Sequence, residues 1–260
     1  MLLWNRRPEV WLTPLVAALF LGLWIAVVHL GGYPAFILPG PDRVWQRFWG
    51  LLTEGTLLRH TWVTLQEVLG GLLVGMVTAT ALGYLLGKSH LVERLLAPYI
   101  VASQAVPMVA LAPLLVIWFG PGLLSKVLVC ALVIFFPMLV NTMVGIRSVE
   151  PELMDLMRSL EASRWQVFTK LEVPAALPVL LGGLKVGATL SVIGAVVGEF
   201  VAADQGLGFL VRLGQGLFDT PLIFVSIAAL IAIALTLYGG TAWLERRLLR
   251  WQVRREPWRM

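Results

Sequence analysis

Apolar runs of about 20 residues recur along this chain, and they constrain its fold more than any other feature. The first run extends from Trp11 to Leu30. A helix of that length crosses the roughly 30 Å hydrocarbon core of a bilayer. The sequence is 58% hydrophobic and only 13% charged, a composition typical of integral membrane proteins. It predicts an all-α membrane protein with six transmembrane helices, and the five later runs are 62–87, 95–119, 127–146, 175–201 and 221–243.

The segments between the runs predict three parts. Residues 1–61 hold the first transmembrane helix and an external amphipathic arm from about Asp42 to Leu58. Residues 62–245 hold a five-helix core that includes one long polar loop, 147–174. Residues 246–260 form a basic tail that we expect to be cytoplasmic.

The basic residues predict the orientation, because Lys and Arg gather on the cytoplasmic side of bacterial membranes. Six spans place both termini on one side. With the termini inside, 14 of the 20 Lys and Arg residues lie in inner segments and 5 in outer ones, with Lys185 inside a span. The inner set is Arg6, Arg7, Lys88, Arg94, Arg147, Arg158, Arg164, Lys170, Arg246, Arg247, Arg250, Arg254, Arg255 and Arg259, and the outer set is Arg43, Arg47, Arg59, Lys126 and Arg212. Both termini and the 147–174 loop are therefore predicted to be cytoplasmic.

The polar loop reads as two short helices joined by a turn. In the first, apolar residues recur at i, i+3, i+4 and i+7 from Leu153 to Leu160, which is one face of a helix. Because Glu is a good helix former, we expect this helix to continue to Glu161 and to turn at Ala162 and Ser163. Ser163 can cap a second helix that ends at about Glu172, ahead of Pro174.

The same loop resembles the signature loop of ABC-importer permeases, whose pattern is Glu-Ala-Ala, three residues, Gly, nine residues, then Ile, any residue, Leu and Pro. Aligned on Pro174, the segment Asp155-Leu156-Met157 takes the place of Glu-Ala-Ala. Glu161 stands where the family has Gly and departs from the pattern. In the family this loop docks into a separate ATPase subunit. The resemblance implies a coupling role for Asp155, Glu161, Ala162, Ser163, Arg164, Trp165 and Gln166. From periodicity alone, an interfacial helical hairpin without a partner is equally compatible.

Three further motifs resemble permeases of the nitrate, sulfonate, taurine and pyrimidine-precursor group. They are Gln104-Ala-Val-Pro107, Phe135-Phe136-Pro137 followed by Asn141, and Gly194 to Phe200. The resemblance covers residues 10 to 245 and implies the type I importer fold. Prolines in mid-membrane free carbonyl groups that are tolerated beside protein or a water-filled path.

Charged residues inside predicted spans are candidates for function by default. Glu67 and Glu199 lie near the outer ends of their spans, where we expect their side chains to reach water, and Lys185 lies within the fifth span. An interfacial or interhelical contact is the alternative interpretation of each. The predicted translocation path consists of Gln104, Pro107, Asn141, Lys185 and Glu199.

The sequence also indicates what the chain does not do. Gly87-Lys88-Ser89 resembles the end of a phosphate-binding loop, but Gly83 precedes it by three intervening residues where the motif needs four. No arrangement of residues typical of a catalytic or metal site is evident, so we expect a transport subunit with no cofactor of its own, whose ATP is bound by a partner. The net charge of +5 is attributed to topology, and no nucleic-acid partner is expected.

The resemblance implies a permease of an ATP-driven importer in a bacterial cytoplasmic (inner) membrane. Its expected cargo is a small polar or anionic solute, such as a thiamine-pyrimidine precursor. The implied partners are an ABC ATPase subunit, an extracytoplasmic substrate-binding protein, a second copy of the permease and the lipid bilayer. A self-sufficient secondary transporter or channel is the alternative, for which an inverted repeat or several midplane charges would be typical.

Overall fold

The computed structural model describes residues 9–251, and they form an all-α chain. The basic residues expected in the N-terminal pair, Arg6 and Arg7, and in the tail beyond Trp251 lie outside the described residues. The helices are α1 (Glu9–Gly31), α2 (Pro41–Thr53), α3 (Thr56–Lys88), α4 (His90–Gln104), α5 (Met108–Phe119), α6 (Leu123–Arg147), α7 (Pro151–Ser159), α8 (Arg164–Val167), α9 (Val173–Ala202), α10 (Leu207–Leu217) and α11 (Thr220–Leu248).

Five helices among the described residues are long and apolar enough to cross a membrane. They are α1, α3, α6, the continuous helix through α8 and α9, and α11, and the bent pair α4–α5 makes a sixth if it is counted as one span. The helical membrane class predicted from the apolar runs is thus confirmed. Helix α2 occupies most of the predicted amphipathic arm.

The third apolar run differs from the single span that was predicted. It forms two helices, α4 and α5, whose axes meet at 92° across the break at residues 105–107. Pro107 has no N–H to donate and disfavours the helical conformation in the residue before it, and its own backbone is extended. Pro98 and Pro113 are accommodated inside α4 and α5. One of the three prolines therefore decides where the helix breaks.

The chain divides into two compact units, residues up to Leu58 with Leu210–Ala228, and Arg59–Phe209 with the described residues from Ala229 onward. In the first unit, Trp24 of α1 stacks on Phe224 of α11 with ring centroids 5.4 Å apart. The Trp24 indole also donates a hydrogen bond to the Pro39 carbonyl at 3.1 Å.

A second contact in this first unit joins α2 to the start of α11. The Arg47 guanidinium lies 2.7 Å from the Asp219 carboxylate. The other Asp219 oxygen accepts the Leu222 N–H at 3.1 Å and so caps α11. The Asp219 carboxylate therefore caps α11 and also forms an ion pair with α2.

The second unit is built on close packing of α3, α6 and α9 around Cys130. A Cβ atom placed on Gly71 of α3 would lie 2.1 Å from the Cys130 Cβ. One placed on Gly194 of α9 would lie 2.7 Å from the Cys130 Cα. Glycine at these two positions lets three helix backbones approach closely.

Candidate functional site

The polar loop forms a helical connector, Glu150–Glu172, between α6 and α9. Its first helix, α7, has no buried residue. The apolar side chains Leu153 and Leu156 are exposed, as are Leu160 at 68% and Trp165 at 71%. Exposed apolar side chains grouped on one short segment are typical of a surface that a partner covers.

The turn of the connector differs from the prediction. Helix α7 ends at Ser159, and Glu161 has φ +51°, in the left-handed region that disfavours a residue with a Cβ. The Ala162 N–H donates to the Met157 carbonyl at 3.0 Å, and the Glu161 N–H donates to the Arg158 carbonyl at 2.9 Å. These bonds form a Schellman motif with Glu161 in the position that usually holds Gly. The prediction that the helix would run through Glu161 is wrong, because two backbone hydrogen bonds outweigh the helix propensity of one side chain.

Ser163 caps the second helix as predicted. Its hydroxyl accepts the Gln166 N–H at 3.3 Å, and the Gln166 side chain accepts the Ser163 N–H at 2.8 Å. This reciprocal pair is a capping box, which satisfies two backbone donors at the start of α8. Ala162, by contrast, contributes only its backbone to the turn.

The second helix does not end at Glu172. It passes through a wide π-helical turn, Phe168–Glu172, and continues into α9 as one helix of 39 residues from Arg164. Pro174 has no N–H for the Lys170 carbonyl, and the turn just before it is the one that widens. A proline in this position is accommodated without a break, which corrects the predicted boundary.

Buried contacts anchor the end of the connector to α3. Glu172 is 1% exposed, and its carboxylate accepts a hydrogen bond from the Tyr84 hydroxyl at 3.1 Å. The same carboxylate forms an ion pair with Lys88. The Phe168 ring packs edge-on against the Tyr84 ring, with centroids 5.4 Å apart.

The beginning of the connector is anchored by Arg147, the last residue of α6. Its guanidinium donates to the Leu86 and Gly87 carbonyls at the end of α3, at 3.3 and 3.4 Å. It also lies 2.5 Å from the Glu93 carboxylate of α4. One side chain thus joins three helices and satisfies carbonyl groups that the end of α3 leaves open.

The remaining predicted coupling residues lie on the exposed side of the connector. The Asp155 carboxylate accepts a hydrogen bond from Arg158 at 2.9 Å, and both side chains are mostly exposed. Arg164 is exposed, and the Trp165 ring lies 5.6 Å from that of Phe168. Asp155, Arg164 and Trp165 are therefore accessible to a partner.

At the other end of α3, a buried polar cluster (His60, Thr64, Glu67, Lys126 and Glu199) joins α3, α6 and α9. Three consecutive N–H groups at the start of α10 point into it. That of residue 206 donates to His60 Nδ1 at 2.9 Å, and that of residue 207 to the Thr64 hydroxyl at 2.8 Å. That of residue 208 donates to the Glu199 carboxylate, which also accepts from the Thr64 hydroxyl at 2.6 Å. The cluster caps the helix N-terminus, where carboxylates are favoured.

The expectation that Glu67 and Glu199 reach water is wrong. Both side chains are fully buried. The Lys126 ammonium, which sequence reasoning placed in an outer loop, lies in the first turn of α6 and 3.2 Å from a Glu67 oxygen. Glu199 accepts hydrogen bonds, whereas Glu67 pairs with the Lys126 ammonium and neither of its oxygens accepts a hydrogen bond from the described residues. Burial of a charge is tolerated when an opposite charge lies beside it.

The predicted path residues fall in different surroundings. Gln104 and Pro107 are exposed at the bend between α4 and α5. The Asn141 amide donates to the Pro137 carbonyl one turn earlier at 2.8 Å. Lys185 forms an ion pair with Glu245 of α11. The structure does not gather the five residues, including Glu199, into one surface.

A cavity of about 490 Å³ opens between α3, α6 and α9 in the second unit. None of the described residues that line it is charged, and the lining is almost wholly apolar. Its lining residues are Met76, Val77, Thr80, Ala81, Met138, Leu177, Leu180, Leu181 and Leu184.

Several residues of these two sites were not predicted, among them Arg147, Glu172, Lys126 and Thr64. Arg147 and Glu172 looked like ordinary loop charges, and Lys126 looked like a turn residue. Thr64 gave no signal, because its partners lie more than 130 residues further along the chain. The one available signal was Glu172 itself, a carboxylate directly before an apolar run, where burial forces it to find a partner.

Residues 71–250 match the family described as binding-protein-dependent transport system inner membrane component. The chain belongs to this family of ABC-importer permeases. It is 52% identical over 239 residues to the riboflavin transport system permease protein RibX of Chloroflexus aurantiacus, covering 92% of this chain and 89% of that protein. It is 36% identical to the formylaminopyrimidine transport permease protein ThiX of Halalkalibacterium halodurans, covering 88% and 91%.

Among solved structures, the MetNI methionine ABC transporter in an inward-facing conformation matches with a TM-score of 0.67 at 16% identity, covering 75% of this chain and 97% of that one. This likeness shows the type I importer fold. The permease is therefore a transport subunit of a binding-protein-dependent system, which implies ATPase and binding-protein partners. The prediction of an ABC-importer permease from the loop motif is confirmed.

Proposed function

We propose that this permease imports riboflavin or a closely related uncharged heteroaromatic compound. The observation that carries the proposal is the 52% identity to a riboflavin permease across nearly the whole of both chains. A thiamine-pyrimidine precursor is the second candidate, on the basis of the 36% identity to a formylaminopyrimidine permease.

The cavity between α3, α6 and α9 supports an uncharged aromatic cargo. Its apolar lining suits a flat ring system, because ligand pockets bury apolar surface and orient the ligand with a few polar groups. An anionic sulfonate would require a cation there. The nearest cation in the sequence is Lys185, and its ammonium is already neutralised by Glu245.

We propose further that the exposed side of the connector docks on the ATPase and that both termini are cytoplasmic. The exposed Leu160 and Trp165 side chains support a protein contact, since aromatic residues are enriched in such interfaces. The bias of Lys and Arg toward the same side supports the orientation.

The anchors of the connector support a route by which docking acts on the spans. Arg147 joins the start of the connector to α3 and α4, and Glu172 joins its end to α3. A displacement of the connector therefore displaces both helices together. Helix α4 leads directly to the bend at Pro107, so this movement changes the bend at which Gln104 lies.

We propose a homodimer whose translocation path includes Gln104, Pro107 and Asn141, while Glu199 and Lys185 hold interhelical contacts. Single cysteines at these five positions, introduced into a Cys130→Ala background, test the assignment. A membrane-impermeant thiol reagent should label positions 104, 107 and 141 in at least one nucleotide state. Protection of all three, or equal labelling of 199, would contradict it.

Uptake of labelled riboflavin decides the cargo. The permease is expressed with an ABC ATPase and a substrate-binding protein of the same organism in a bacterial riboflavin auxotroph, and ATP-dependent uptake is measured. We expect uptake of the labelled compound to be inhibited by unlabelled riboflavin and unaffected by taurine. Competition by formylaminopyrimidine alone would favour the second candidate, and uptake driven by an ion gradient without ATPase would favour a secondary transporter.

A further inference from the structure

The last turns of α11 carry an unusual group of side chains. Trp243, Arg246, Arg247 and Arg250 line a cavity of about 350 Å³ that is open to the outside of the second unit. The three arginines are exposed. We name this group the arginine turn.

Its distance along α11 places the arginine turn beside a membrane surface. The helix begins at Thr220 and is apolar enough to span. About 20 residues cross the hydrocarbon core, which brings the chain to the region of Gly240. Trp243 then lies at the interface, where tryptophan is enriched, and the arginines follow at the level of lipid headgroups.

The charges of the arginine turn are available for a ligand. The one neighbouring carboxylate in this turn, Glu245, pairs with Lys185 of α9. The Arg247 guanidinium stands over the Trp243 ring, 5.3 Å from its centroid, which holds the side chain in place. Among residues 9–251, Arg246 and Arg250 form no ion pair.

We propose that the arginine turn binds the phosphate headgroup of an anionic phospholipid. Guanidinium groups bind phosphate oxygens through two parallel hydrogen bonds. The phosphate of a zwitterionic lipid accepts these bonds less well, because the ammonium of the same headgroup already compensates its charge. The aromatic ring next to the cations provides the contact with the glycerol and upper acyl region. The assignment concerns the end of α11 alone and does not depend on the transported substrate.

Native mass spectrometry of the full-length permease tests this proposal. The protein is reconstituted in bilayers of equal parts phosphatidylglycerol and phosphatidylcholine, extracted, and its retained lipids are counted. We expect preferential retention of phosphatidylglycerol. Replacing Arg246, Arg247 and Arg250 together by Gln should lower that retention roughly tenfold or more, since each surface cation contributes to anionic-lipid binding.

The matched control removes the same charge from the connector, by Arg158→Gln, Arg164→Gln and Lys170→Gln together, and should leave retention unchanged. Equal loss in the two triple variants, or none in the arginine-turn variant, would overturn the proposal. Displacement of the lipid by inorganic phosphate would show a soluble-anion site instead. Loss of ATPase copurification from the arginine-turn variant, with lipid retention intact, would show a protein contact instead.

Discussion

The connector and the buried polar cluster lie toward opposite ends of α3, and they differ in which side chains they expose to the surroundings. The connector exposes its apolar side chains, with Trp165 at 71%. The cluster buries its charges, with Glu199 at 0%. An exposed apolar surface is typical of a contact with another molecule. A buried carboxylate, in contrast, is paired with groups of its own chain. The first region therefore indicates an interaction, and the second holds the helices together.

The energetic consequences differ accordingly. The exposed pair Arg158–Asp155 contributes little, because exposed ion pairs are worth about 0–1 kcal/mol. Removing a buried partner leaves donors unsatisfied and is far more damaging. Variants in the cluster should thus change stability, and variants on the outside of the connector should change coupling.

The largest effect is expected for Glu199→Ala. It leaves the N–H of residue 208 without its acceptor, and the Thr64 hydroxyl keeps the more distant His60 carbonyl, at 3.2 Å. Together with the cavity created, this should lower the unfolding free energy by about 3 kcal/mol or more. Thermal denaturation in detergent measures it. The exposed Glu161→Ala is the control, with a change under about 0.5 kcal/mol, and equal effects of the two would contradict the comparison.

Glu172→Ala should have the next largest effect. Glu172 belongs to the connector and is nevertheless buried. Its replacement should therefore affect both stability and coupling. Loss of its contacts with Tyr84 and Lys88 should lower stability by about 2 kcal/mol and also reduce transport per ATP hydrolysed. Glu150→Ala removes an exposed carboxylate from the other end of the connector and should do neither. Normal coupling in a destabilised Glu172→Ala protein would show that this anchor is structural only.

Arg164→Glu should alter coupling without altering stability. The side chain is exposed at the start of α8, so charge reversal should leave the spans inserted. If the connector docks on the ATPase, uptake in proteoliposomes should fall by roughly tenfold, the size of effect expected from losing about 1.4 kcal/mol at an interface. Arg43→Glu, the same reversal on exposed α2, should leave uptake unchanged. Wild-type uptake and substrate-stimulated hydrolysis in the Arg164→Glu protein would refute docking at this surface.

The smallest effect is expected for Glu161→Gly. Glycine adopts positive φ without the steric penalty of a Cβ, so the variant should stabilise the turn by about 1 kcal/mol. Amide hydrogen exchange across 153–162 should slow about fivefold in consequence. Glu150→Gly serves as the control, because Glu150 has φ −63° and gains nothing from glycine. Faster exchange in the Glu161→Gly protein would show that this conformation carries no strain.

Much of the fold could be predicted, because a long apolar run in a bilayer has one outcome. A helix satisfies its backbone groups internally, so an apolar run predicts a span directly. The run 127–146, for example, forms most of α6. The capping box at Ser163 could also be predicted, since its partners lie three residues apart. The break at Pro107 could not be chosen over Pro98 or Pro113, because all three present the same local signal.

The sequence by itself determined the membrane class, the position of most spans, the two-helix connector and the family, because each depends on local periodicity or on a short ordered motif. Only the tertiary structure decided the conformation of Glu161 and the fate of the buried charges. The turn was decided by the two hydrogen bonds that close it. Glu199 was predicted to reach water and instead meets Thr64, 135 residues away in the chain. Partners at that separation are selected by helix packing. A charge that packing buries destabilises the fold unless it meets an oppositely charged or hydrogen-bonding partner.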